Sequence, residues 1–155
     1  MDGLTLVRVA AIVCAGLLAG IYLGHRTGAH YALPRLDRSS FVQFQQVVHT
    51  HYVKFMPPLV LAALLATVIW IWLIRAQWKS PGFWLLVLSA CGIAFVAAIT
   101  RAVNVPLNNQ LMTWDVADPP PNLAAIWAPW DSVNTIRTFV SVAVLILETT
   151  ALSLK

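Results

Sequence analysis

Charged side chains are scarce in this sequence: Asp, Glu, Lys and Arg make up 10% of its 155 residues, whereas hydrophobic residues make up 59%. A soluble domain carries about 25% charged residues, so this chain cannot cover a water-facing surface. Lipid must surround it instead, which indicates an integral membrane protein. The net charge of +4 would also suit nucleic acid, but the basic residues are scattered and form no run, which argues against that partner.

The sequence gives no indication of a disulfide, of a nucleotide or flavin site, or of a cleaved signal peptide. The only cysteines, Cys14 and Cys91, each lie inside a long apolar run, where small packing residues are more common than a disulfide. The sequence has no glycine-rich nucleotide or flavin fingerprint, so neither cofactor is predicted. No A-x-A cleavage site follows the apolar run at residues 4–24, and we interpret this run as a retained first helix rather than a signal peptide.

Long apolar runs are the most prominent feature that is present. Four of them have close to the roughly 20 residues that a helix needs to cross the hydrocarbon core. They predict an all-α membrane protein, a single four-helix transmembrane domain over residues 1–155, with spans at residues 4–24, 55–74, 83–102 and 133–154. We expect a multi-pass protein of a bacterial inner membrane. Its orientation stays open, because several arginines that would set it are also candidate site residues.

The connections between the runs are unequal. Ser80, Pro81 and Gly82 predict a tight turn between the second and third runs. The other two connections, residues 25–54 and 103–132, are predicted to be long loops on the same side of the membrane, opposite both termini. The first contains an amphipathic stretch near residues 41–48, interpreted as a short helix lying at the membrane interface. The second carries tryptophans that suit the headgroup level and predict a lid over the bundle, namely Trp114, Trp127 and Trp130.

Glycines in the first run form one stripe, because Gly16, Gly20 and Gly24 are four residues apart. Such a stripe allows a neighbouring helix to approach closely. Packing within the bundle is the simpler interpretation, and a homo-oligomer interface through these glycines is the alternative.

Polar residues within the apolar runs are costly and usually face the bundle interior. In the fourth run one helical face carries Asn134, Arg137, Thr138, Ser141 and Glu148. Shared faces are also formed on the third helix, at and beyond the end of its apolar run, by Arg101, Asn104 and Asn108, and on the second helix, around the start of its run, by His51, Lys54, Phe55 and Pro58. Together they predict a polar pocket at the end of the bundle where the long connections lie. The alternative is that the arginines reach to the interface while the asparagines cap helix ends.

All four histidines lie in or beside the first long connection. His25, His49 and His51 are therefore candidate ligands for copper or iron, and a neutral histidine also suits proton transfer. His49 and His51 lie on different faces of a regular helix, so one metal could bind both only if the chain is non-helical there or another segment adds ligands. Interfacial histidines bonded to headgroups or backbone are the alternative.

Two motifs resemble a known family. Residues 101–108 read R-A-V-N-V-P-L-N, and Trp127 is followed at residues 130–138 by W-D-S-V-N-T-I-R-T. This order and spacing resembles the anthrone oxygenase-like family of small four-helix membrane proteins, and residues 32–34 and 41–58 are similar to its first loop. A few members of that family are oxygenases that convert aromatic polyketides such as anthrones to quinones.

The resemblance implies which residues form the site. Asparagine amides and a guanidinium could hold a phenolate, which assigns catalytic roles to Asn134 and Arg137. His49 or His51 could take a proton from an acidic carbon or hold a metal that activates oxygen. Substrate-binding roles are implied for Arg101, Asn104, Asn108, Trp127 and Trp130.

The leading hypothesis is an integral membrane oxidoreductase, an oxygenase for a small apolar or aromatic substrate. A small transporter or channel subunit is one alternative, although the first run lacks the acidic residue on which small multidrug exporters depend. A non-catalytic membrane scaffold is the other. In that case the asparagines and arginines would brace the helices against one another.

Overall fold

The structure is a computed structural model that describes residues 2–154. Within this part of the chain all regular structure is helical, and four helices are long and apolar enough to cross a membrane. They are α1 (Gly3–Arg35), α2 (Arg38–Leu73), α3 (Pro81–Leu111) and α4 (Leu123–Ser153). The prediction of an all-α membrane protein with four spans is confirmed.

The helices form an up-and-down bundle in which α1 packs against α2 and α4, and α3 packs against α4 and α2. We call the end that carries the connections at residues 36–37 and 112–122 the loop end, and the opposite end the terminal end. Buried clusters follow the bundle axis. Ala11, Trp70 and Leu86 belong to the cluster at the terminal end, and Phe41 and Trp127 belong to the one at the loop end.

The predicted long loops are mostly helix, and this part of the prediction was wrong. The first connection between long helices is residues 36–37 and the last is residues 112–122, because every helix continues past its apolar run at the loop end. The helices of 31 to 36 residues are about 46 to 54 Å long, whereas the hydrocarbon core is about 30 Å thick. The helices are therefore longer than the hydrocarbon core is thick, and the parts beyond their apolar runs lie mainly at the loop end.

The amphipathic stretch at residues 41–48 is not a separate interfacial helix but the first part of α2. Asp37 caps this helix, since its Oδ1 accepts a hydrogen bond from the backbone N–H of Ser40 at 3.0 Å and its Oδ2 accepts one from the hydroxyl of Ser40 at 2.7 Å. These bonds lower the pKa of the Asp37 carboxyl. Phe41 and Val42 are then buried at the loop end, which holds this segment upright in the bundle.

The glycines predicted to pack inside the bundle mostly do not. A methyl group at Gly16 would lie 3.9 Å from Leu145, an ordinary contact, and at Gly20 or Gly24 it would meet no atom of the described residues within 4 Å. The close approach is made instead by Gly92 on α3, where an added Cβ would lie 2.9 Å from Val144 on α4. Gly20 and Gly24 are exposed on the outside of α1.

Candidate functional site

A cavity of about 600 Å³ lies between the four helices, on the loop-end side of the bundle. Its wall is largely apolar, and each of the four helices contributes polar groups to it. The predicted site residues that line it are His25, His49, Arg101, Asn108, Trp127, Trp130, Asn134 and Arg137. Such a cavity, apolar with a few convergent polar groups, is typical of a small-molecule site.

Arg137 is the main charged group inside this cavity, and only 7% of its surface is exposed. It donates from Nη2 to Asn134 Oδ1 at 2.7 Å and from Nη1 to Thr100 Oγ1 at 3.2 Å. Its guanidinium carbon also lies 4.7 Å from the ring centroid of Tyr22. Within residues 2–154 no carboxylate forms an ion pair with it. A buried guanidinium without a counter-ion is costly, and its position on a cavity wall suits an anionic ligand.

The hydrogen bond from Arg137 to Asn134 determines which ring nitrogen of His25 carries the proton. Because a guanidinium can only donate, Asn134 must present its oxygen to Arg137 and its nitrogen to His25. Asn134 Nδ2 lies 2.9 Å from His25 Nδ1 and therefore donates to it. In the neutral ring the proton is then on Nε2, which has no hydrogen-bond partner among the described residues. His25 is thus held as a donor at Nε2.

Trp130 is held in place by the two asparagines that the sequence motif placed on α3. Asn108 Oδ1 accepts from the Trp130 indole N–H at 2.8 Å, and Asn104 Nδ2 donates to the Trp130 carbonyl at 3.2 Å. Trp127 stacks on Trp130, with ring centroids 4.9 Å apart and planes inclined by 19°. Asn104 does not line the cavity but is fully buried behind it, so it positions Trp130 instead of contacting a ligand.

The α2 wall of the cavity carries Gln45, His49, Tyr52 and Met56, at offsets of 0, 4, 7 and 11 that define one helical face. Gln45 is 5% exposed, and its Nε2 has no partner within the described chain. Gln45 and Tyr52 were not predicted as site residues. If residues 38–54 are treated as helix, their spacing from His49 places all three side chains on one face. The face that was proposed instead, which includes His51 and Lys54, is exposed and does not line the cavity.

The predicted metal ligands are not brought together. His51 is exposed and absent from the cavity wall, and His25 Nδ1 already accepts from Asn134. Among residues 2–154 no three His, Cys, Asp or Glu side chains are grouped so that they could hold a metal ion. The set of His25, His49 and His51 therefore does not fit a copper or iron site in this structure.

Two π-helical turns flank the site. One covers His25–Ala29 in α1, and the other covers Thr100–Asn104 in α3. A π-turn inserts an extra residue into a helix, which shifts the direction of the side chains around it, and such turns are frequent at functional sites. Here they carry His25 and Thr100 on two different helices to the same group, the Asn134–Arg137 pair on α4.

Glu148 is a second buried polar group, and it lies apart from the cavity. It is fully buried, and its Oε1 accepts a hydrogen bond from Thr67 Oγ1 on α2 at 2.7 Å. It shares the polar face of α4 with Arg137, but 11 residues separate them, or about 16 Å along the helix. Glu148 therefore connects α4 to α2 and does not contribute to the candidate site.

The fold is that of an integral membrane protein, and the cavity between its four helices has the features typical of a small-molecule site. A family model described as anthrone oxygenase matches residues 44–147, which is well over half of the chain. The protein therefore belongs to the anthrone oxygenase family, and the prediction made from the two motifs is confirmed. The matched segment includes His49 and Arg137 but not His25. No curated protein and no solved structure matches the chain.

Proposed function

We propose that the protein is a membrane oxygenase that acts on an anthrone-like aromatic substrate in the cavity between the helices. The observation that carries this proposal is the buried guanidinium of Arg137, which has no carboxylate partner in the described chain and lies on a largely apolar wall. An anthrone has a flat apolar ring system that suits such a wall, and removal of a proton from its CH2 group gives an aryloxide anion. Arg137 would bind the oxygen of that anion.

The polar groups divide between two walls in a way that suits this chemistry. Arg137 and the N–H of His25 are donors on the α4 and α1 side, where they would stabilise negative charge on the substrate oxygen. His49 lies on α2 and is the histidine available as a base, since it lines the cavity and its ring makes no hydrogen bond to another residue within residues 2–154. Trp127 and Trp130 offer a stacked aromatic surface for the rings.

The proposed reaction balances with O2 as the only co-substrate. His49 takes one C–H proton, the resulting anion passes its electrons to O2 as a C–O bond forms, and protonated His49 returns the proton to the peroxide oxygen to give a hydroperoxide. Loss of the second C–H proton and cleavage of the O–O bond then release water and leave a ketone. In total CH2 and O2 become C=O and H2O, so the carbon is oxidised by four electrons and O2 is reduced by four. No step is assigned to copper or iron, because the candidate ligands do not form a set.

The test is oxygenation of 1,8-dihydroxyanthrone by the protein reconstituted in liposomes, measured as quinone absorbance and as transfer of 18O from 18O2 to the new carbonyl. Relative to wild type, we expect Arg137→Leu to lower kcat/KM by about 10²–10³-fold, the effect of losing one oxyanion donor. Arg137→Lys should retain part of the rate because the charge remains. Lys54→Leu is the matched control, since Lys54 is an exposed cation away from the cavity.

Two results would contradict the proposal. One is a rate for the wild-type protein no higher than the spontaneous oxidation in empty liposomes. The other is full activity of a folded Arg137→Leu variant, with folding judged by gel filtration and circular dichroism.

A further inference from the structure

The outer surface of α2 and the cavity wall meet at Leu61. Leu61, Leu65 and Trp72 follow one another at helical spacing and are 56%, 51% and 59% exposed, so they form a stripe on the lipid-facing side of α2. Leu61 also lines the cavity, whereas Leu65 does not. Val53, two turns before Leu61 and 52% exposed, lines the cavity as well.

On α3, too, a residue on the exposed outer face also lines the cavity. Ala94, Ala98 and Arg101 lie at helical spacing and are all exposed, and of these three Arg101 also lines the cavity. The surfaces that face the lipid and the cavity are therefore continuous on both sides of the gap between α2 and α3. The cavity opens sideways there.

This opening is closed at both of its ends. Towards the loop end, Gln46 Nε2 on α2 donates to the carbonyl oxygens of Leu111 and Trp114, each at 3.0 Å. Towards the terminal end, Ala63 on α2 and Ile93 on α3 belong to one buried cluster. Between these closures the stretch from Val53 to Leu61 is about 12 Å long, which admits the edge of a fused aromatic ring system.

We propose that the gap between α2 and α3 is the entrance through which an aromatic phenol dissolved in the membrane reaches the cavity. Val53 and Leu61 give the entrance an apolar edge where α2 enters its apolar run, a depth at which lipid would adjoin it. The guanidinium of Arg101 lies at the mouth and attracts the phenolic oxygen, while Arg137 receives it inside. This entrance rests on the proposed function for the identity of the substrate.

The test uses a photoreactive phenol that the protein cannot oxidise at a CH2 group, 4-hydroxybenzophenone, mixed into the liposomes that hold the protein. A light flash at increasing times after mixing, followed by mass spectrometry of the peptide containing Met56, gives the rate at which the cavity fills and the final labelled fraction. A narrowed entrance slows entry and exit alike, so the rate falls while the final fraction stays the same.

We expect Leu61→Trp and Val53→Trp each to slow filling by about fivefold or more, with final fractions within about twofold of wild type. Leu65→Trp is the matched control, because Leu65 is equally exposed one turn away on the lipid side, and its rate should not change. Unchanged rates in both folded entrance variants overturn the proposal, as does a final fraction that falls in step with the rate. Absence of label at Met56 in the wild-type protein also overturns the proposed entrance. If Met56 is labelled but 1,8-dihydroxyanthrone is not oxygenated, only the proposed reaction is contradicted.

Discussion

At the scale of single residues, the Asn134 amide decides what its two neighbours can do. Its oxygen accepts from Arg137 and its nitrogen donates to His25, so each end of the side chain has one partner. Arg137 keeps its full charge because Asn134 is neutral, and His25 keeps its proton on Nε2 because Nδ1 must accept. A carboxylate at position 134 would reverse both effects.

Asn134→Asp is therefore expected to weaken binding of 4-hydroxybenzophenone as its phenolate by about tenfold or more. The new carboxylate would pair with Arg137 and neutralise it, and it cannot donate to His25 Nδ1. Equilibrium titration of the liposome-bound protein measures the affinity. Asn109→Asp is the control, because Asn109 is exposed and does not line the cavity. An affinity unchanged by Asn134→Asp in folded protein would show that Arg137 does not bind the anion.

His49 and His51 are separated by one residue but have different surroundings, which gives a clean comparison. His49 lines the cavity and His51 is exposed outside it. If His49 is the base, His49→Gln should lower kcat for 1,8-dihydroxyanthrone by about 10²–10⁴-fold. His51→Gln should leave kcat unchanged, and both variants should bind 4-hydroxybenzophenone as wild type does. Equal losses of kcat in the two variants would mean that neither histidine is the base.

The sequence predicted the polar residues that α3 and α4 bring to the cavity better than it predicted the role of His25 on α1. The helical spacing of Asn134 and Arg137, and of Asn104 and Asn108, indicated an interior pocket, and the structure buries or half-buries all four. The hydrogen-bonded state of His25 could not be predicted, since it depends on a contact with a residue 109 positions away in the chain. Its assignment as a metal ligand came from residue type and from the grouping of the four histidines in or beside the first long connection.

At the scale of helices, the π-turn at Thr100–Asn104 sets the register of the end of α3 against α4. Asn104, inside the turn, bonds to the Trp130 backbone, and Asn108, one turn later, bonds to the Trp130 indole. The extra residue of the π-turn is what allows both bonds while Thr100 still faces Arg137.

A second extra residue, an alanine inserted after the exposed Ala102, cannot be absorbed by this turn, which already holds one. The residues after the insertion would rotate by about 100° relative to those before it, which takes Asn108 away from Trp130. We expect far-ultraviolet circular dichroism to be retained, the tryptophan signal in the near ultraviolet to change, and phenol affinity to fall by about tenfold or more. Ala102→Ser, which keeps the chain length, is the control. Wild-type affinity in the insertion variant would show that the register set by the turn has no role in the site.

Helix number was predictable, but helix length was not. Hydropathy identifies the lipid-covered part of each helix, and the four apolar runs lie within the observed helices except for Ile74 and Leu154, each one residue past a helix end. At the loop end the helix extensions pack against one another instead of against lipid. They are therefore amphipathic, and their composition resembles that of loops. Burial of Leu33, Phe41 and Leu123 in a common cluster makes them helical, and this is a tertiary effect.

At the scale of the whole molecule, the helices are longer than the hydrocarbon core is thick, and the parts beyond their apolar runs lie mainly at the loop end. Exposed cations within residues 2–154 are more numerous there: Arg35, Arg38, Lys54 and Arg101, against Arg75 and Lys79 in the turn at the other end. Arg137 is not counted among these exposed cations, because it is buried in the wall of the cavity. The remaining excess predicts that the loop end faces the cytoplasm.

Single cysteines in a Cys14→Ser, Cys91→Ser background test both the depth and the orientation. A membrane-impermeant maleimide should label Ser80→Cys in intact cells and label Gln43→Cys only after the cells are opened. Leu65→Cys should stay unlabelled in both cases, because it lies on the lipid-facing side of α2. Gln43 is the informative position: it is an exposed residue inside the 36-residue helix α2, and it is reactive only if the first turns of α2 stand in water. An unreactive Gln43→Cys in opened cells would place the cavity in the middle of the bilayer. Labelling of Gln43→Cys in intact cells would reverse the orientation and put the site on the outer side.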